Sequence, residues 1–188
     1  MTTISASLTF LTPAEVEAAR AGFREVYQLA FSLPPYSRDA GVADGFASSL
    51  VRHVGRAGFR ALVAREHDTG QIVGFAYGYA TSEGQWWHEQ VARGMEPDQV
   101  ARWLEGAFEL VEFAVTPRAQ GQGLGSLLHD GLLRDLPFPK AVLSTMQSET
   151  VALRLYRQRG WVTLLENFIF PGGARNYLIM GKALGGDR

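Results

Sequence analysis

Apolar positions along the chain alternate between strand and helix periodicity. Ile4 to Leu11 reads as a first strand. Thr12-Pro13-Ala14-Glu15 is a capping box with proline at the first helical position. Val16, Ala19, Phe23, Val26, Tyr27 and Ala30 then recur at helical intervals, which predicts a helix to about Phe31. Leu33-Pro34-Pro35-Tyr36 breaks it, and Val42, Phe46, Leu50 and Val54 mark a second, more polar helix closed by Gly55 and Gly58. Arg60 to Glu66 and Gln71 to Thr81 are β-rich runs joined by a His67-Asp68-Thr69-Gly70 turn. Gly74 and Gly78 inside the second run leave room for close approach of another element. Between Ser82 and Gly106 the pattern loosens. Pro97 and Asp98 start a short helix there, with Val100, Trp103 and Leu104 expected on its buried face.

The second half is more regular. Leu110 to Val115 is apolar and β-prone apart from Glu112, and Pro117 ends that run. Leu124, Leu127, Leu128 and Leu132 repeat at helical spacing up to Leu136-Pro137-Phe138-Pro139. Ala141 to Met146 reads as a buried strand, and Thr150 to Arg159 as a helix stopped by Gly160. Trp161 to Phe170 and Arg175 to Ala183 are two final strands, turned by Pro171-Gly172-Gly173; the tail from Gly185 to Arg188 should be loose. This order predicts an α+β (mixed α/β) fold, a mixed central sheet flanked by helices. Its central strand–helix–strand unit implies two parallel strands joined by a right-handed crossover. With no internal repeat or linker, the 188 residues are expected to form a single domain, 1–188.

Composition narrows the function. Apolar and charged fractions of 46% and 20% are ordinary for a globular protein, and net charge is −1 with no basic run. Nucleic acid and anionic membrane are therefore not expected partners. There is no cysteine, which excludes disulfides, thiolate metal sites and a cysteine nucleophile. His53, His67, His88 and His129 are scattered and form no ligand pair, so no metal is expected. The N-terminus does not read as a signal peptide, and no run approaches the ~20 apolar residues of a membrane span. A cytoplasmic protein is the default expectation.

The candidate chemistry sits between Glu109 and Leu128. Gly121, Gly123 and Gly125 free the backbone between a strand and a helix. Bare amides at a helix N-terminus make an anion site, because the unpaired N–H groups and the helix dipole point the same way. A phosphate loop of the nucleotide-triphosphatase kind needs a Gly-Lys-Ser/Thr end, which is missing. A dinucleotide loop needs Gly-x-Gly-x-x-Gly and an acid closing the next strand; here the spacing is Gly-x-Gly-x-Gly and the strand ends Ser-Thr-Met-Gln.

The stretch resembles the acyl-CoA signature of the GNAT superfamily of N-acetyltransferases, Arg/Gln-x-x-Gly-x-Gly/Ala, with Gln120, Gly123 and Gly125 in the fixed places. Val115, Thr116 and Pro117 sit where that family carries Val-x-Pro. Ala152, Leu155, Tyr156, Gly160 and Trp161 match the later pattern Asn-x-x-Ala-x-x-Leu-Tyr-x-x-x-Gly-Phe/Trp, with Glu149 in the usual Asn place. The two motifs cover about the last 80 residues.

The resemblance implies direct transfer of an acetyl group from acetyl-CoA to an amine of a small molecule or peptide. In that family's fold the two parallel strands splay, and the pantetheine arm enters the gap. The amine must be neutral, the oxyanion needs donors, and the thiolate needs a proton. Gln120, Gly121, Gln122, Gly123, Leu124, Gly125 and Ser126 would hold the pyrophosphate. Main-chain groups of Phe113, Ala114 and Val115 would pair with pantetheine like an added strand, the Val115 amide polarising the thioester carbonyl. Glu149 and Tyr156 complete the cofactor contacts, and Tyr156 is the candidate general acid.

The base is open between Glu109, which begins the strand, and Glu112, in mid-strand where a charge is costly unless paired or functional. On a regular strand the two would face opposite sides, which a bulge would change. Glu83 and His88 are secondary candidates, a loop histidine being otherwise solvated, and a water chain with no dedicated base is a further option. Trp86, Trp87 and Trp103 either plug a core edge or form a lid over the acceptor. A homodimer is left open. The competing reading is a catalytically silent acyl-CoA-binding sensor.

Overall fold

The computed structural model describes residues 4–185; the tail beyond Gly185, expected to be loose, lies outside them. Seven strands are present: β1 (Ala6–Leu11), β2 (Arg60–Glu66), β3 (Ile72–Ala80), β4 (Phe108–Val115), β5 (Lys140–Met146), β6 (Val162–Phe168) and β7 (Tyr177–Ala183). Seven α-helices accompany them: α1 (Pro13–Ala18), α2 (Arg20–Phe31), α3 (Ala40–His53), α4 (Trp86–Ala92), α5 (Pro97–Trp103), α6 (Leu124–Leu133) and α7 (Val151–Gln158). The strands form one sheet in the order β1-β2-β3-β4-β5-β7-β6. β4 and β5 are parallel, paired at Phe108 with Ala141 and Glu109 with Val142. The β1–β2, β2–β3, β5–β7 and β6–β7 pairs are antiparallel, so the sheet is mixed.

The chain divides into two compact units. One holds the residues up to Tyr79 together with Glu112–Asp135; the other holds Ala80–Val111 together with the residues from Leu136 onward. In the first, α2 buries Phe23, Val26, Tyr27 and Phe31 at helical spacing, and α3 buries Ala43, Phe46, Ala47 and Leu50. Tyr27 stacks on Phe46 at 4.2 Å, and Phe23 lies tilted against Phe75 of β3 at 4.8 Å. α6 packs close to the sheet where glycines remove side chains. A Cβ on Gly74 would stand 2.9 Å from Leu128 Cδ1 and 3.2 Å from the Ala114 carbonyl oxygen. In the second unit a core forms from Trp87, Val91, Met95, Leu104, Ala107, Val142 and Ile179.

Several expectations shift. The capping box at Thr12 is present, with both reciprocal bonds made. The single helix expected to Phe31 is two, broken at Ala19 (φ −90°, ψ 6°); apolar spacing reads through a break of one residue. α4 was not foreseen. It is a two-turn helix whose N-cap, Gln85, makes no side-chain cap, so neither periodicity nor capping announces it. Leu104 is fully buried, but Val100 and Trp103 of α5 are only half-buried. Leu127 and Val42 point outward, because their helices bury narrower stripes than the leucine and valine spacing suggests.

Candidate functional site

The glycine loop is built by its sequence. After β4, Thr116 N–H donates to the Val73 carbonyl (2.9 Å) and a 3₁₀ turn runs over Pro117–Ala119. Gly121 (φ +73°) and Gly123 (φ +80°) adopt left-handed backbone that side chains resist, and Gly123 is the N-cap of α6. Gly125 serves clearance instead: a Cβ there would stand 3.3 Å from Phe113 Cζ. The first amide to find a backbone acceptor is Leu127, on Gly123 (3.2 Å). Among the described residues, no bond is made by the N–H groups of Gly121 to Ser126. These six amides stand at the positive end of a ten-residue helix.

Polar side chains hold the loop in place. Gln122 accepts from the Ile4 amide (2.7 Å) and donates to the Arg118 carbonyl (3.0 Å). Arg118 forks onto Glu66 at 2.6 and 3.0 Å. Gln120 Nε2 donates to the Val115 carbonyl at 2.9 Å. Its amide nitrogen is thus spent on fixing the strand end rather than aimed at a ligand.

β4 carries a bulge. Thr81 N–H donates to the Ala107 carbonyl, and Thr116 N–H to that of Val73. Between those bonds β3 runs eight residue steps (Val73 to Thr81) and the β4 segment nine (Ala107 to Thr116), so one extra residue is inserted. β3 is itself irregular at Val73: Ala64 pairs with Gly74 but Arg65 with Ile72. Glu109 lies two steps from Ala107. Glu112 lies four from Thr116, with Phe113 and Val115 turned the other way onto Gly125 and Gly74. Glu112 therefore faces away from Gly125 and Gly74.

The two glutamates differ in setting. Glu109, 4% exposed, is on the strand face it shares with Val142 of β5. Glu112 keeps partial access, yet crowding protein atoms push its carboxyl up to about 7. Arg38 and the Phe113 backbone N–H oppose that rise without cancelling it. A carboxyl ionising near neutrality is poised for proton transfer. Arg38, on the loop between α2 and α3, was not anticipated. Its only sequence signal is an arginine just after Pro-Pro-Tyr-Ser, next to an aromatic-rich helix.

In the other unit, Tyr156 lies on the buried face of α7, edge-on to Trp161 at 5.8 Å. Thr150 caps that helix through the Leu153 amide (3.0 Å). Glu149, exposed, is ion-paired to Arg157 at 2.6 Å. His88 corrects an expectation: it is a helix residue only 4% exposed, not a solvated loop side chain. Glu83 is exposed. The tryptophans split between roles. Trp87 is core, its Nε1 donating to Ser144 Oγ (3.2 Å), whereas Trp86 is 57% exposed and stacks on Phe170 at 5.4 Å. Trp103 is half-buried, with Arg102 over its ring. Among the described residues, no helix is long and apolar enough to cross a membrane.

A mixed sheet with one parallel pair, β4 and β5, and a glycine loop entering α6 gives the chain an α+β fold. The model of the acetyltransferase (GNAT) family matches residues 23–161, and the chain belongs to that family. It is 36% identical over 129 residues to the GCN5-like protein acetyltransferase Rv2170 of Mycobacterium tuberculosis, covering 64% of this chain and 63% of that relative's length. Among solved structures it is similar to the ribosomal-protein-S18-alanine N-acetyltransferase of Escherichia coli, with TM-score 0.64 and 17% identity over 98% of this chain and 97% of that one. It is also similar to yncA of Salmonella typhimurium, solved with its cofactor acetyl-CoA, with TM-score 0.59 and 16% identity over 98% and 96% of the two chains.

Proposed function

We propose that this acetyltransferase-family protein takes an acetyl group from acetyl-CoA and transfers it directly to a primary amine of a small molecule or peptide. The observation that carries the reading is the run of six unengaged amides from Gly121 to Ser126, held by two left-handed glycines at the head of α6. That array matches a pyrophosphate in charge and in donor number. Acetyl-CoA seen in yncA supports the choice of anion. The bound thioester supplies the activated acetyl group; the chain's residues bind, orient and move protons. Glu112, whose carboxyl burial pushes up to about 7, accepts the proton of the incoming ammonium. Tyr156 returns a proton to the departing thiolate, and the Val115 amide faces the thioester oxygen. Much of the acceleration is positional.

Calorimetric titration with acetyl-CoA, followed by thiol release across a panel of amines, tests this. Micromolar binding with amine-dependent release is expected; no binding refutes the donor half. The silent acyl-CoA sensor has one observation in its favour. The Asn place of the family's second motif is Glu149, tied to Arg157. Tight binding with no release on any amine would favour that reading.

A further inference from the structure

Between Gln120 and Leu124 the glycine loop touches little. Gln120 ties one end to the Val115 carbonyl, and buried Leu124 ties the other. A Cβ placed on Gly121 or Gly123 would meet nothing within 4 Å. Packing therefore does not hold these two left-handed glycines, whose backbone is freer than that of any other residue type. The one side chain between them is that of Gln122, and it is half-buried.

Gln122 belongs to a closed circuit of bonds. Its Oε1 accepts from the Ile4 amide at 2.7 Å, and its Nε2 donates to the Arg118 carbonyl at 3.0 Å. The Arg118 guanidinium forks onto both carboxylate oxygens of Glu66, the last residue of β2. The Thr69 hydroxyl donates to the same carboxylate at 2.6 Å. These bonds, the arginine's first, hold the Glu66 carboxyl well below the usual carboxylate range, so it is ionised at neutral pH. The next residue, His67, donates its amide to the Ser5 carbonyl at 2.9 Å, and its ring Nδ1 meets the Ser5 hydroxyl at 2.9 Å. Ser5 follows Ile4, which closes the circuit. Every member lies in the first compact unit.

We infer that this circuit is a brace that pre-shapes the anion loop, with Gln122 as its positioning residue and Glu66, Arg118 and the Ile4 amide as supports. The inference deepens the acetyl-CoA reading and rests on it for the identity of the anion. A loop with two free glycines spends binding energy on ordering itself, whereas a braced loop presents its amides already converged. The supports act through Gln122 and need not touch the ligand. The brace and simple charge attraction differ in sign at Glu66. Taking a negative charge out of this unit should, by charge alone, tighten the binding of an anion. Taking out a support should weaken it.

The test compares the parent with Glu66→Gln and Ile4→Pro, the second of which removes the amide donor without changing charge. Calorimetry with acetyl-CoA should show Kd rising about fivefold or more in each variant, the scale of one lost hydrogen bond. With an amine that supports turnover, KM for acetyl-CoA should rise in step while kcat at saturating acetyl-CoA stays the same. Unchanged or tighter binding by Glu66→Gln overturns the brace, and so does a fall in kcat at constant KM. Nitrogen-15 relaxation of the ligand-free protein supplies a readout that needs no ligand. The order parameters of the Gly121 and Gly123 amides should be about 0.85 in the parent and drop towards about 0.6 in both variants. Equal order parameters overturn the brace whether or not acetyl-CoA binds. A parent that binds no acetyl-CoA, with looser loops in the variants, would sink the acetyl-CoA reading and leave the brace standing. If Glu66→Gln does not fold, Ile4→Pro decides by the same criteria.

Discussion

Replacing Glu112 by Gln gives the most direct test of the site's electrostatics. Gln keeps the shape of the protonated carboxyl and cannot ionise. In the folded protein the Glu112 carboxyl titrates at about 7, against about 4.5 when unfolded. A folded pKa above the unfolded one means that the folded state holds the proton more tightly. The associated stability is fully present below about pH 4.5 and is lost as pH rises through about 7. A gap of some 2.5 units at 1.36 kcal/mol each is roughly 3 kcal/mol.

The parent and Glu112→Gln should therefore have similar stability at pH 4. They should diverge by about 1.4 kcal/mol per pH unit between pH 5 and 7. At pH 8 Glu112→Gln should be the more stable by roughly 3 kcal/mol. Urea unfolding at fixed pH values measures this directly. In parallel, the limb of kcat/KM that rises towards neutral pH should vanish in the variant, with turnover at pH 8 down by about 10²–10⁴. Parallel stability curves, or a parent that gains on the variant between pH 5 and 7, would show that Glu112 is an ordinary paired carboxylate and remove it as the base.

The loop and the tryptophans offer further tests. Gly123→Ala forces a side chain into left-handed backbone at φ +80°, which should cost about 1–2 kcal/mol and weaken acetyl-CoA binding about tenfold by calorimetry; unchanged affinity would free the loop from its role. Tyr156→Phe should slow turnover with little change in acetyl-CoA affinity, and equal turnover would leave that ring as packing against Trp161 alone. Trp87→Ala, emptying a core position, should cost about 3–5 kcal/mol, whereas Trp86→Ala should stay within about 1 kcal/mol; if Trp86→Ala also raises the acceptor KM, the exposed ring covers substrate. Gly74→Ala, meeting Leu128 and the Ala114 carbonyl, should destabilise by about 1–3 kcal/mol.

What the sequence carried, and what it withheld, follow from the range of the interactions involved. The Thr12 capping box, the turn at His67–Gly70 and the glycine loop were legible because each depends on residues within a few positions of one another. α4 was not, since seven residues rich in tryptophan give no period and take their helical state from packing around Trp87. The same limit applies to the base. Nothing near Glu112 in sequence says that it will be crowded enough to ionise near neutrality, or that Arg38, 74 positions earlier, will counter that crowding.

The extra residue on the β4 side belongs in the same class. It shows only when Thr81 and Thr116 are matched to their partners across β3 and β4. On a strictly alternating strand Glu109 and Glu112 would serve opposite faces, and an inserted residue changes that parity. Burial raises the Glu112 carboxyl to about 7, which is the ground for proposing it as the base. Local pattern thus delivers the anion cradle, whereas the proton chemistry depends on register and long-range packing.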